Sequence, residues 1–184
     1  MNLVKIHPPD FDVSVRLAYA TADNFTGQPV YGKALAFLRP EAAELLGKAI
    51  ALAAVQGFRL RILDALRPRE AQWVLWNHTP DPDFLAHPER GSPHSRGVAV
   101  DLTLEDRDGV ALDMGTPFDA FTPLSHHGCL EISPQAQKNR HLLLGIMSSA
   151  GWDFYSKEWW HYQMFDPRRF DLICDTELDE PIMG

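Results

Sequence analysis

His94 and Asp101 are separated by six residues in Ser92-Pro93-His94-Ser95-Arg96-Gly97-Val98-Ala99-Val100-Asp101, and His161 closes the run Glu158-Trp159-Trp160-His161. Two imidazoles and a carboxylate are donors that can hold a catalytic zinc while leaving one position open for water, and a further carboxylate beside them supplies a base. Taken singly these residues say little. A histidine in a globular chain is more often a hydrogen-bonding residue than a ligand, and this chain has 8. Asp101 says more, because it interrupts the apolar run Val98-Ala99-Val100-Asp101-Leu102. A carboxylate in or beside a core is costly unless it is paired or bound to a cation. The bland reading of Glu158 to His161 is an aromatic hairpin that packs the core; it accounts for the two tryptophans but not for the Glu and His beside them.

Those side chains need elements to hold them. Val98, Val100 and Leu102 alternate with Ala99, Asp101 and Thr103, so a strand is expected over 97–104. Gly97 gives the backbone room to turn and bring His94 toward Asp101. Asp106-Arg107-Asp108-Gly109 carries a hairpin signal, with 110–114 as the expected return strand. The aromatic stretches 152–155 and 159–164 read as a final hairpin, with Glu158 in its turn and His161 on the face opposite Trp160 and Tyr162. Strands are also expected within 11–20 and over 58–64, the second running into Asp64-Ala65-Leu66-Arg67-Pro68-Arg69. Helices are predicted over 41–56, with Pro40 at its start and Gly57 at its stop, over 70–77, and over 135–150, where Ser133-Pro134 forms the cap and Gly151 the end. Residues 79–91 form a proline-rich loop of a length that is often functional, and 115–133 are irregular. The expected architecture is α+β: a mostly antiparallel sheet with about three helices packed on it, a single domain over 1–184 in which 166–184 form a surface tail.

At 184 residues the chain can bury a substantial core, and 45% hydrophobic with 23% charged residues is ordinary for a globular domain. A net charge of −8 with scattered Lys and Arg argues against nucleic acid or an anionic membrane as partner. Cys129 and Cys174 form no CxxC pair, the first residues hold no apolar segment of signal-peptide length, and no apolar stretch approaches the roughly 18–20 residues of a membrane span. A reduced, cytoplasmic protein is the expectation; oligomeric state is left open.

The pattern Ser-x-His-x-x-Gly-x-Ala-x-Asp followed by Glu-x-Trp-His resembles the zinc D-alanyl-D-alanine dipeptidases of vancomycin resistance and their bacterial relatives, which belong to a wider family with zinc D,D-carboxypeptidases and phage cell-wall endopeptidases. Further segments resemble these dipeptidases in the same order: Tyr19 to Gly27, Asp64 to Pro68, Met114-Gly115, Phe118-Asp119 and Ser125-His126-His127. The likeness covers roughly residues 15–165. Leu66 stands where the dipeptidases often have Tyr, and the 79–91 loop is shorter than in some members; both departures are expected to touch the rim of the site.

The resemblance implies that His94, Asp101 and His161 hold one zinc per chain. Glu158 would be the general base that takes a proton from the attacking water and returns it to the leaving amine. Arg67, set between a strand and a helix and stiffened by Pro68, would hydrogen-bond the developing oxyanion; its bland alternative is a surface salt bridge with Asp64 or Glu70. Asp119 would hold the ammonium of a small dipeptide substrate, D-Ala-D-Ala, with Ser92 and Tyr19 lining the same pocket; alone these three read as a turn Asp, a loop Ser and a core Tyr. His126 and His127 are expected to be structural or to orient a ligand. The rival readings are a carboxypeptidase or endopeptidase acting on peptidoglycan peptides and, from another class, a zinc-binding module without catalysis, against which Glu158 and Arg67 argue.

Overall fold

The computed structural model describes residues 2–184. Its centre is a five-stranded sheet in the order β2-β4-β5-β7-β6, built from β2 (Val13–Val15), β4 (Arg59–Asp64), β5 (Ala99–Glu105), β6 (Asp153–Phe154) and β7 (His161–Gln163). A small antiparallel pair, β1 (Val4–Lys5) with β3 (Phe37–Leu38), stands apart. Only the β2–β4 pairing is parallel, so the sheet is mixed but mostly antiparallel, as expected. Three α-helices accompany it: α1 (Pro40–Val55), α2 (Arg69–His78) and α3 (Pro134–Ala150).

Local chemistry explains these boundaries. Pro40 occupies the first turn of α1, where a missing N–H costs nothing. Ser133 caps α3 by accepting from the Ala136 amide at 3.0 Å, and Gly151 ends it at φ 103°, a conformation a side chain would strain. Helices α1 and α3 pack on each other and against β4 and β5 respectively. Strand β5 is buried along its whole length: Val100, Leu102 and Leu104 belong to the hydrophobic core, while Asp101 lies on the opposite face of the pleat.

Two expectations are corrected. The segment 110–114 forms no strand; a single bridge, Glu105 to Ala111, is all that remains of the hairpin. The turn is bound largely by side chains: the Asp106 carboxylate accepts from the Asp108 and Val110 amides, both at 2.9 Å, and the Arg61 guanidinium donates to Glu105 and to the Gly109 carbonyl, both at 2.8 Å. Nor are residues 166–184 a surface arm. Ile173 and Ile182 are 0% exposed. Asp175 accepts from the amides of Ile182 and Met183, which folds the chain end back on itself.

This C-terminal segment also holds the loop that carries His94. The Ile173 amide donates to the Ser95 carbonyl at 2.7 Å, the Ile173 carbonyl accepts from the Arg69 amide at 3.0 Å, and Arg96 donates to the Phe170 carbonyl. The tail thus ties the 92–97 loop to the start of α2. Among the described residues no helix is long and apolar enough to cross a membrane. Ile173→Ala is expected to cost about 2–5 kcal/mol through the cavity it leaves, seen as a fall in Tm of roughly 5–15 °C on thermal unfolding. A Tm within about a degree of the parent would mean that the tail is dispensable to the fold.

Candidate active site

The expected donors converge. His94 Nε2 lies 3.2 Å from Asp101 Oδ1 and 3.1 Å from His161 Nδ1, and His161 Nδ1 is 3.1 Å from the same Asp101 oxygen. All three residues are buried. Strand pairing brings two of them together, since Asp101 of β5 stands opposite His161 of β7 in the register. His94 arrives from a single 3-10 turn, His94–Arg96, that Gly97 terminates at φ 69°. Four-coordinate zinc with bonds of about 2.0–2.1 Å sets its donors roughly 3.3 Å apart. The triangle here is of that size, and its two imidazoles and one carboxylate are donors that suit such an ion.

Each imidazole is oriented by its other nitrogen. His94 Nδ1–H donates to the Ala65 carbonyl at 2.7 Å, which leaves Nε2 with its lone pair toward the site. His161 Nε2 is 3.0 Å from Gln163 Oε1. Glu158 sits in the turn before β7, 7% exposed, with Oε2 3.8 Å from His161 Nδ1. Burial, reinforced by the negative charge of Asp101, pushes its carboxyl up to about 8, against the pull of His161 and Arg67. Burial also pushes Asp101 upward, but the imidazoles of His94 and His161 outweigh it and hold this carboxyl well below the usual carboxylate range.

Of the two partners offered for an Arg67 ion pair, the structure has Asp64. Arg67 donates to it from Nε at 2.9 Å with Nη2 at 2.8 Å, yet the pair is buried and not on the surface. Nη2 also lies 3.5 Å from Asp101 Oδ2, Nη1 donates to Gln72, and the guanidinium rests over the Tyr19 ring at 4.8 Å. Asp64 is the acidic residue whose place in the site sequence reasoning missed. It stands opposite Asp101 across a bulge in the β4–β5 ladder and accepts from the Tyr31 hydroxyl at 2.7 Å.

A cavity of about 420 Å³ opens over these groups, within the range of small-molecule sites. Tyr19, Arg67, Ser92, Asp119 and Glu158 all line it together with the three donors. Ser92 Oγ accepts from the His94 amide at 3.2 Å, and Tyr19 packs edge-on against Phe25, Tyr31 and Phe118. The 79–91 loop supplies a wall through Pro82 to Ala86, as its length suggested. Leu66 does not: it is buried in the core and away from the rim.

Asp119 adopts a left-handed backbone (φ 59°), and its Oδ2 is buried without a hydrogen-bond partner. Burial, with the charge of Asp101 adding to it, raises this carboxyl well above its ordinary value. The loop that carries it is anchored from outside the pocket. Arg140 of α3 donates to the carbonyls of Met114 and His126, and the Trp159 indole donates to Thr116 Oγ1 at 2.9 Å.

A buried two-histidine, one-carboxylate donor set with a glutamate at its side, facing a small cavity, could hold a metal ion of the kind that hydrolases use. The family described as D-ala-D-ala dipeptidase, peptidase family M15, matches residues 2–179, and the chain belongs to that family. A protein of Escherichia coli (strain K12) named D-alanyl-D-alanine dipeptidase is 42% identical over 175 residues, covering 95% of this chain and 89% of its own length. One of the same name from Enterococcus faecium is 40% identical over 169 residues, covering 80% and 84%. Among solved structures, VanYB in complex with D-Alanine-D-Alanine aligns with a TM-score of 0.48 and 14% identity over 88% of this chain and 82% of that one, too distant a likeness to bear on the site.

His126 and His127 do not line the cavity. His127 packs edge-on against Phe154 and Tyr162 with Nε2 buried and unpartnered, and burial, aided by the charge of Arg140, lowers it to about 4. The folded chain keeps it neutral where the unfolded chain, with a histidine pKa of about 6.5, takes up a proton. Its contribution to stability is therefore whole above about pH 6.5 and is lost as the pH falls toward 4. Replacing it by Phe should flatten the fall in Tm between those pH values. An unchanged pH dependence would show that His127 is not held neutral.

Proposed function

We propose that the chain is a zinc dipeptidase that hydrolyses free D-Ala-D-Ala to two molecules of D-alanine, with one zinc held by His94, Asp101 and His161. The observation that carries this reading is the triangle of converging donors beside Glu158, in the same cavity as the unpartnered oxygen of Asp119. When bound there, zinc supplies a Lewis acid that brings the pKa of water toward about 7 and polarises the scissile carbonyl.

This chain's own groups do the rest. Glu158 takes the proton of the attacking water at a carboxylate oxygen and delivers it to the leaving amine, a pair of transfers that its place beside the donor triangle allows. Arg67, fixed by Asp64 and Gln72, presents a permanent positive charge to the oxyanion that forms as the carbonyl carbon becomes tetrahedral. Asp119 accepts the substrate ammonium, which gives its buried oxygen the partner it lacks. Ser92 and Tyr19 close the pocket around the small side chains, and a cavity of this size with a carboxylate at the amino end selects a free dipeptide over a capped one. A cytoplasmic setting accompanies this reading, in keeping with two free cysteines.

Free D-Ala-D-Ala and its N-acetyl derivative should be separated by at least roughly a hundredfold in kcat/KM, because the acyl group removes the ammonium and leaves Asp119 buried without a counter-charge, a cost of about 3 kcal/mol or more. Equal cleavage of the two would favour a carboxypeptidase instead. Metal analysis and turnover of two variants test the roles separately. Glu158→Ala should retain about one zinc per chain and lose a factor of roughly 10²–10⁴ in kcat, whereas His94→Ala should lose the metal itself. Near-full activity of Glu158→Ala would remove Glu158 as the base.

A further inference from the structure

Of the two imidazoles facing the donor triangle, His94 is oriented by a backbone atom, the Ala65 carbonyl, and no substitution can delete that acceptor. His161 is different. It presents Nδ1 to the triangle, 3.1 Å from both His94 Nε2 and Asp101 Oδ1, so Nε2 points away from it. Among the described residues the only hydrogen-bond partner of Nε2 is a side chain, Gln163 Oε1 at 3.0 Å. Gln163 follows His161 by two residues in β7, so the pleat sets both side chains on one face of the sheet. The backbone of Gln163 is held on both sides, against Ala99 of β5 and Asp153 of β6, which fixes where its side chain leaves the sheet beside the ring.

We infer that Gln163 is a positioning residue for the metal: by accepting the Nε2–H of His161 it fixes the tautomer whose Nδ1 lone pair faces the donor triangle. Without that acceptor the imidazole can carry its proton on either nitrogen and can rotate, and binding a cation must then meet the cost of selecting one arrangement. An amide suits the role because its oxygen accepts while adding no charge beside Asp101 and Glu158. This inference rests on the zinc reading given above.

The test compares the full-length chain with Gln163→Leu, which keeps a comparable bulk but has no acceptor, and Gln163→Glu, which restores an acceptor. Three quantities are measured: zinc affinity by competition with a chelator, Tm of the metal-free protein, and the solvent-exchange rate of the His161 ring N–H by NMR of the zinc-loaded protein. Gln163→Leu should bind zinc about 10–100-fold more weakly, exchange that N–H faster, and keep the Tm of the metal-free parent. Gln163→Glu should recover the affinity and the slow exchange. Unchanged zinc affinity in Gln163→Leu would overturn the inference, and so would equal weakening in both variants, which would make side-chain packing and not the acceptor the cause. A parent chain that binds zinc and cleaves D-Ala-D-Ala while Gln163→Leu binds zinc as tightly overturns this inference alone; a parent chain that binds no zinc overturns the proposed function with it.

Discussion

Asp64 and Asp101 face each other across neighbouring strands with almost no access to water, and the rest of the site answers the charge they bring. Like charges directly opposite in a ladder repel, and each carboxylate taken from water carries a desolvation cost of several kcal/mol unless it is paired. Arg67 lies between them, close to both. Tyr31 gives Asp64 a further hydrogen bond, and two imidazoles converge on Asp101. One guanidinium cannot neutralise two carboxylates, and a cation held at the triangle of donors would complete the balance. The ion pair of Arg67 with Asp64 lies at the cavity wall, so the guanidinium that neutralises Asp64 also borders the cavity.

Rigid and adaptable elements divide the chemistry between them. Asp101 and His161 sit on paired central strands, where the ladder holds them in place, while His94, Ser92 and Asp119 come from loops. Loops move unless something ties them down. The C-terminal segment does this for the loop with Ser92 and His94, through Ile173 and Arg96. Arg140 and Trp159 do it for the loop with Asp119. Most of these bonds end on backbone carbonyls, while the Trp159 indole ends on the Thr116 hydroxyl.

Burial sets the working state of the two remaining carboxyls. Glu158 and Asp119 both hold protons more tightly than exposed carboxyls do, for the same reason, yet they meet different partners. Glu158 lies beside the donor triangle. Asp119 has a buried oxygen with no hydrogen-bond partner among the described residues. Two carboxyls raised by the same burial thus stand against different neighbours, one a histidine and the other the open cavity.

Much of this was legible in the residues alone. The apolar alternation around Asp101 called for a strand with a carboxylate on the wrong face, the turn residues before His161 located Glu158, and Ser133, Gly151 and Pro40 marked helix ends through local backbone chemistry. Such signals are short-range, and a linear reading captures them. What escaped was non-local. The opposition of Asp64 and Asp101 depends on a bulge in the β4–β5 register, the binding of the 106–110 turn in part on Arg61 reaching it, and the burial of the tail on Ile173 and Ile182 finding a core that only the assembled sheet and helices create. The sequence by itself determined the chemical types present and the strands, turns and helix ends that carry them; the tertiary structure decided which of those groups meet, because burial and strand register join residues whose distance along the chain says nothing of their distance in space.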